Sequence, residues 1–258
     1  MKILIGDIGN TSIKICLVDI DSFLIKKTIS FNSNSIRSPN FLKKTFNRFF
    51  KNQNVKNIAL FSSVVPRHYI LLKKFLRIKH KIKLREVKEN KIKKIVKINI
   101  KNKKQIGSDR IANAVGVYKK YKSNCIVLDF GTATTFDVVT KNGVYNGGII
   151  APGVNLSLKS LIVSADQIPK FSVKKQKKII GKNTVEALRS GFYWGYSGLI
   201  NNIILKIEKE TKKKFKIIFT GGYAGLFKTS IVRSFRIDKN ITIKGVIEIF
   251  KENKNYLV

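Results

Sequence analysis

Residues 3–18 read ILIGDIGNTSIKICLV and residues 125–139 read CIVLDFGTATTFDVV. In both, an apolar run ends in Asp-x-Gly, turns through small hydroxyl or amide residues, and resumes as a second apolar run. Asp7 aligns with Asp129 and Gly9 with Gly131, nearly half the chain apart. A duplication on that scale fixes an architecture, because each copy has apolar strands of its own to bury. The expectation is an α/β protein of two similar halves, residues 1–122 and 123–258, each a hairpin meander followed by alternating helices and strands.

Working outward, Ser38-Pro39 has the signature of a helix start, and Leu42, Phe46, Phe49 and Phe50 continue at helical spacing. Asn57 to Val65 is a β-rich run stopped by Pro66, with an apolar helical segment from Tyr69 to Ile78 after it. Residues 81–104, including the Lys91-Ile-Lys-Lys-Ile-Val-Lys run, are Lys-rich and irregular, which predicts short strands mixed with exposed loop. In the second half, Asn183-Thr-Val-Glu186 resembles a capping box, and its helix extends to about Lys209, ~40 Å at 1.5 Å per residue. Gly191, Gly195 and Gly198 share one face of that helix, where each glycine costs up to ~1 kcal/mol. Close approach of another element is the expected return, through a second subunit or a tight crossing within the chain.

With 43% hydrophobic residues and 10% aromatics, 258 residues can form a substantial core. No apolar run approaches the ~20 residues that cross a bilayer, and Met1 leads straight into a short strand; a cytoplasmic protein without a membrane partner is expected. Cys16 and Cys125 sit inside apolar runs, as free cysteines do in a reducing compartment. Neither they nor His68 and His80 have metal-ligand spacing. The formal net charge of +37 raises nucleic-acid binding, yet the lysines are spread along the chain among Ile and Asn rather than gathered into one patch. No specific nucleic-acid partner is expected, only weak binding at low salt.

A strand ending Asp-x-Gly-Asn-Thr presents backbone N–H groups beside a carboxylate. Such a turn can cradle phosphate oxygens while Asp7 holds a hydrated Mg²⁺, with Gly9 allowing close approach and Asn10 and Thr11 adding polar contacts. One copy would equally suit a structural turn; two copies half a chain apart favour phosphate. Lys216-Ile-Ile-Phe-Thr-Gly-Gly-Tyr-Ala224 is a strand running into a Gly-Gly turn, either a surface for an adenosine or a plain strand-to-helix turn. In Gly107-Ser-Asp-Arg110, Asp109 can act as a base toward an acceptor hydroxyl, and Arg110 can grip a carboxylate or phosphate bidentately. A helix N-terminus with a stabilising acid is the alternative there.

These blocks together resemble the superfamily of acetate and sugar kinases, heat-shock ATPases and actin. Within it, the chain is similar to type III pantothenate kinases through Asp7-Ile-Gly-Asn-Thr-Ser-Ile-Lys14, Gly107-Ser-Asp-Arg-Ile-Ala-Asn113, Asp129-Phe-Gly-Thr-Ala-Thr-Thr135 and Gly147-Gly-Ile-Ile-Ala-Pro-Gly153. The Asn183-Thr-Val-Glu-Ala187 and Thr220-Gly-Gly-Tyr-Ala224 blocks fit as well. The resemblance implies two ribonuclease-H-like domains in the duplicated, actin-like ATPase arrangement, with the active site in the cleft between them and the glycine turns enclosing one triphosphate. It implies ATP-dependent phosphorylation of pantothenate to 4′-phosphopantothenate, the first step of coenzyme A biosynthesis, by a homodimer using Mg²⁺.

Residue by residue, the resemblance assigns ATP to Asp7, Ile8, Gly9, Asn10, Thr11, Ser12, Ile13, Lys14 and Thr132. It assigns pantothenate to Gly107, Ser108, Asp109, Arg110 and Thr184, with Asp109 as proton acceptor, and a monovalent cation, potassium or ammonium, to Asp129. Members usually carry a tyrosine and then a proline just before the Gly-x-Asp-Arg block; here Ile100 and Lys103 stand near those positions, which bears on substrate affinity. Two other readings are a non-catalytic regulatory or nucleic-acid-binding relative and a kinase for another small hydroxy acid.

Overall fold

The computed structural model describes residues 1–90 and 94–257. Its contacts divide the chain into two units. The first holds Met1–Lys122, Gly143–Tyr145 and the chain from Asn240 onward; the second holds Ser123–Asn142 and Asn146–Lys239.

The first unit is built on β1 (Lys2–Ile8), β2 (Ser12–Asp19), β3 (Ile25–Asn32), β4 (Val55–Ser63) and β5 (Lys83–Glu86), in the order β3-β2-β1-β4-β5. β1 and β2 are buried nearly end to end, as suits strands covered on both faces. β3 alternates strictly between half-buried and exposed residues, the pattern of an edge strand with one wet face. Helix α1 (Pro39–Phe50) starts as expected, with the Ser38 hydroxyl accepting the Phe41 N–H at 3.3 Å, and it buries Leu42, Phe46 and Phe49. After Pro66, α2 (Pro66–His80) follows β4 and ends on Lys81 in the left-handed region. His68 is buried and the His80 ring lies 4.8 Å from that of Phe50, so both act as core filler.

The Lys-rich stretch resolves into β5, a 3-10 turn at Val87–Glu89, β6 (Lys97–Ile98) and another 3-10 turn at Lys103–Gln105; residues 91–93 lie outside the described residues. Helix α3 (Ser108–Tyr121) then closes the first half.

The second unit repeats the plan with β7 (Cys125–Phe130), β8 (Ala133–Val139), β9 (Val144–Pro152), β10 (Lys216–Gly221) and β11 (Phe235–Ile237), ordered β11-β10-β7-β8-β9. β9 takes its first residues, Val144 and Tyr145, from the first unit, and these pair with β6. In each unit the first strand pairs antiparallel with the second and parallel with the fourth.

Helices α4 (Val154–Ser164) and α5 (Thr184–Thr211) complete the second unit. At the start of α5, Asn183 Oδ1 accepts the Glu186 N–H at 2.9 Å, while Glu186 reaches back to the N–H of Lys182 rather than of Asn183. Its 28 residues span about 42 Å. Tyr193, Ser197, Ile200, Ile204 and Ile207 form its buried stripe at alternating spacings of four and three.

The last helix, α6 (Ile241–Leu257), packs on α3, so the chain from Asn240 groups with the first unit rather than with the rest of residues 123–258. Small residues permit this: a side chain at Gly245 would collide with the backbone of Ala112. Cys16 and Cys125 are buried and free, and no helix among the described residues is long and apolar enough to cross a membrane.

Candidate active site

Asp7 stands at the end of β1, with Lys14 opposite it on β2 and Ser62 beside it on β4. The Ser62 hydroxyl donates to Asp7 Oδ1. Burial pushes the Asp7 carboxyl up to about 6; the Ser62 hydrogen bond and the Lys14 charge oppose that rise, and the Asp109 charge adds to it. Two carboxylates remote in sequence therefore lie within electrostatic reach.

Ile8 and Ile13 flank the turn and are wholly buried, so only their backbones could meet a ligand; Asn10, Thr11 and Ser12 are exposed. The Gly9 N–H closes the turn on the Ser12 carbonyl at 3.0 Å. Lys14 Nζ donates to Asn240 Oδ1 at 3.2 Å.

Asp109 occupies the first turn of α3, where the helix dipole favours a carboxylate. Burial raises its pKa, against the pull of the Arg110 N–H, which donates to Asp109 Oδ1 at 2.7 Å, and of the Arg110 charge. The Arg110 guanidinium lies 5.9 Å from the centre of the buried Tyr145 ring, a cation–π seat. The neighbouring Ser108 hydroxyl accepts the Ser63 N–H and donates to the Ser63 carbonyl, each at 2.7 Å. Ser108 is fully buried by this clamp, so toward a substrate it can offer backbone rather than hydroxyl. Ile100 is half-buried and Lys103 exposed in the segment leading to Gly107.

In the second unit, Asp129 ends β7 opposite Thr135 on β8 and beside Thr220 on β10. The turn closes with the Gly131 N–H on the Ala133 carbonyl at 3.1 Å, leaving Thr132 exposed. Gly221 ends β10 with φ +84°, pressed so close to Phe130 and Asp129 that a Cβ there would lie 2.7 Å from Asp129 Oδ1. The Gly222 N–H donates to the Phe130 carbonyl at 3.1 Å, which joins the Gly-Gly turn to the Asp129 strand. Turns rather than a helix follow it, and Tyr223 donates to Asn155 Oδ1 at 2.7 Å. Thr184, exposed at the start of α5, lines an apolar groove of about 600 Å³ with Leu161, Leu188, Gly191, Gly195 and Leu199.

Asp7, Lys14, Gly107, Asp109 and Arg110 thus belong to the first unit and Asp129, Thr132 and Thr184 to the second, where Asp129 and Thr132 flank one turn while Thr184 lies apart at the start of α5. Sequence reasoning missed Ser62, Ser63 and Tyr145. The Ser62-Ser63 pair just ahead of Pro66 was a usable signal, since the end of a parallel strand beside β1 must border Asp7. Nothing local marks Tyr145.

Paired Asp-x-Gly hairpins on duplicated sheets define a class: actin-like ATPases and their sugar-kinase relatives. Solved structures agree on that fold. A conserved protein from Campylobacter jejuni proposed to be a Baf family transcriptional activator superposes with a TM-score of 0.61 at 21% identity, covering 98% of this chain and 99% of that one. The activator of 2-hydroxyisocaproyl-CoA dehydratase from Clostridium difficile gives 0.55 at 12% identity, covering 99% and 97%. Sequence narrows the class. The profile of the type III pantothenate kinases matches residues 3–206, and the type III pantothenate kinase of Pelagibacter ubique is 50% identical over 245 residues, 95% of this chain and 97% of that protein. The chain belongs to the type III pantothenate kinase family, and its function is ATP-dependent phosphorylation of pantothenate in coenzyme A biosynthesis. That membership sets aside the non-catalytic reading.

Proposed function

We propose that the first unit carries the chemistry of this transfer and that the second contributes ligand contacts. ATP is assigned to the Asp7–Lys14 turn, through the backbones of Ile8 and Ile13 and the groups of Gly9, Asn10, Thr11, Ser12 and Lys14, and to Thr132. Asp109 receives the proton of the acceptor hydroxyl. Gly107, the Ser108 backbone, Arg110 and Thr184 hold pantothenate, whose carboxylate suits a bidentate guanidinium. Tyr145 seats Arg110. The observation that carries this reading is geometric: consecutive serines of β4 tie the half-buried Asp7 carboxylate at a phosphate-type turn to the start of α3, where Asp109 stands beside an arginine.

A Mg²⁺ ion fits Asp7: one carboxylate oxygen is taken by Ser62, and the charge that burial disfavours is what a divalent cation stabilises. Bound there, Mg²⁺ would neutralise phosphate charge during transfer. Potassium or ammonium is assigned to Asp129, whose carboxylate Oδ1 lies against the Gly221 backbone, where no side chain could stand.

Among the described residues, nothing lies within 4 Å of where side chains would stand on the α5 face bearing Gly191, Gly195 and Gly198, so no tight crossing among them explains these glycines. We assign that face to a second copy in a homodimer. The protein is placed in the cytoplasm, in keeping with its two free buried cysteines. The +37 charge is treated as compositional, so DNA affinity should be indifferent to sequence and collapse with added salt.

The test is purified protein with ATP, Mg²⁺, potassium and pantothenate, alongside Asp109→Ala. Phosphopantothenate from the native chain alone supports the assignment. Equal product from the variant removes Asp109 from its role, and faster turnover of another hydroxy acid in a substrate panel would reassign the acceptor.

A further inference from the structure

We propose that Ser62 is a positioning residue: its hydroxyl holds the Asp7 carboxylate in the orientation that receives the cation, and the Ser62-Ser63 dipeptide sets the placement of Asp7 relative to Asp109. The inference rests on the Mg²⁺ role assigned to Asp7 above.

Geometry carries it. Ser62 is completely buried at the end of β4, in register with Asp7 on the parallel β1, and donates to Asp7 Oδ1. A hydroxyl can donate only one proton. It therefore pins one carboxylate oxygen and leaves the other free to turn toward a ligand, whereas a lysine or arginine there would neutralise the charge the cation needs. The next residue, Ser63, spends both its backbone N–H and its carbonyl on the Ser108 hydroxyl, at 2.7 Å each. Ser108 opens α3, and Asp109 is its neighbour. Two consecutive serines thus anchor the carboxylate of the phosphate turn and the helix start that bears the proposed base.

The duplication supplies independent support. In the second unit the residue in register with Asp129 on the parallel strand is Thr220, again a buried hydroxyl. Both copies carry a buried hydroxyl after a buried phenylalanine at this place, Phe61-Ser62 in one and Phe219-Thr220 in the other, and they differ at the next residue, Ser63 against Gly221. A strand end that needed only packing would accept Ala or Val there.

Partners that orient a metal-binding group typically matter by 10–100-fold in affinity or activity, here about 10-fold as a working expectation. The experiment measures Mn²⁺ affinity by electron paramagnetic resonance in the presence of a non-hydrolysable ATP analogue, and steady-state kinetics in parallel. Ser62→Ala should weaken Mn²⁺ binding about 10-fold and lower kcat by a similar factor, with the KM for pantothenate changing less than about twofold. Ser62→Thr, which keeps the hydroxyl, should restore both to within about threefold. If Ser62→Ala does not fold, Ser62→Cys keeps the volume with a weaker donor and should show the same weakened Mn²⁺ binding. Native Mn²⁺ affinity and kcat in the variant, with Asp7→Ala inactive, would overturn the role of Ser62 alone. Native behaviour in Asp7→Ala itself would overturn the assignment of Asp7 on which it stands.

Discussion

In the first unit the turn between β1 and β2 places Gly9 to Ser12 between the paired Ile8 and Ile13; in the second, Gly131 to Ala133 lie between Phe130 and Thr134, one residue fewer. Asp7 faces a lysine, whereas Asp129 faces Thr135. The first half continues into α3 with Asp109 and Arg110 in its opening turn, while α6, which follows the second sheet, opens on Ile241-Thr-Ile-Lys without an acid in its first turn. The strand order is shared and the chemistry is not. Duplication supplied two scaffolds for a strand-end carboxylate, and function follows from which side chains each copy then acquired.

The sharpest way to break this contrast is to remove one acid from each unit. Asp109→Ala should lower kcat by at least ~100-fold, the scale of lost acid–base assistance, whatever monovalent ion is present. Asp129→Asn should lower activity nearer ~10-fold and flatten its dependence on potassium, as expected for a lost ion contact. Measuring kcat across a potassium titration for both variants decides it. A larger loss at Asp129 than at Asp109 would mean that the second unit, not the first, carries the chemistry.

A second contrast concerns charge in the absence of ligands. The folded chain holds the Asp7 proton more tightly than the unfolded chain, since burial lifts the carboxyl from 3.8 to about 6. The resulting stability is fully present below about pH 4, is lost as pH rises through about 6, and is absent above that. Asp7→Asn removes the charge while keeping an acceptor for Ser62. In metal-free buffer it should therefore stabilise the protein by up to about 3 kcal/mol at about pH 8, with no gain at about pH 4, while abolishing turnover. Denaturant melts at the two pH values check this; equal gains at both would remove burial of the charge as the cause.

Much of this was legible in the sequence, for a physical reason. Asp-x-Gly turns, Pro-headed helices and the Asn183 cap are local devices, and local devices leave local signatures. The repeat also foretold two similar α/β halves. What escaped was set by non-local contact. The return of α6 to the first unit depends on Gly245 meeting Ala112, and the Ser62–Asp7 bond joins strands far apart in sequence. Tyr145 reaches Arg110 only because β9 begins within the first unit. The glycines of α5 were visible as a face, but the sequence left open whether the chain itself covers them.

The smallest expected effect comes from comparing glycine faces. Gly245 on α6 abuts the Ala112 backbone, so Gly245→Ala should destabilise by about 1–3 kcal/mol, as overpacking does. Among the described residues nothing lies within 4 Å of a Cβ at Gly198 on α5, so in a dissociated chain Gly198→Ala should act only through helix propensity and stabilise by about 0.5–1 kcal/mol. If a second copy seats on that face, the added methyl groups push the partner away, and the sign reverses once the protein is concentrated enough to dimerise. Melting temperatures of the native chain and Gly198→Ala, each at low and high protein concentration, therefore read the interface directly. A gain that persists at every concentration would leave the α5 glycines without a dimer to explain them.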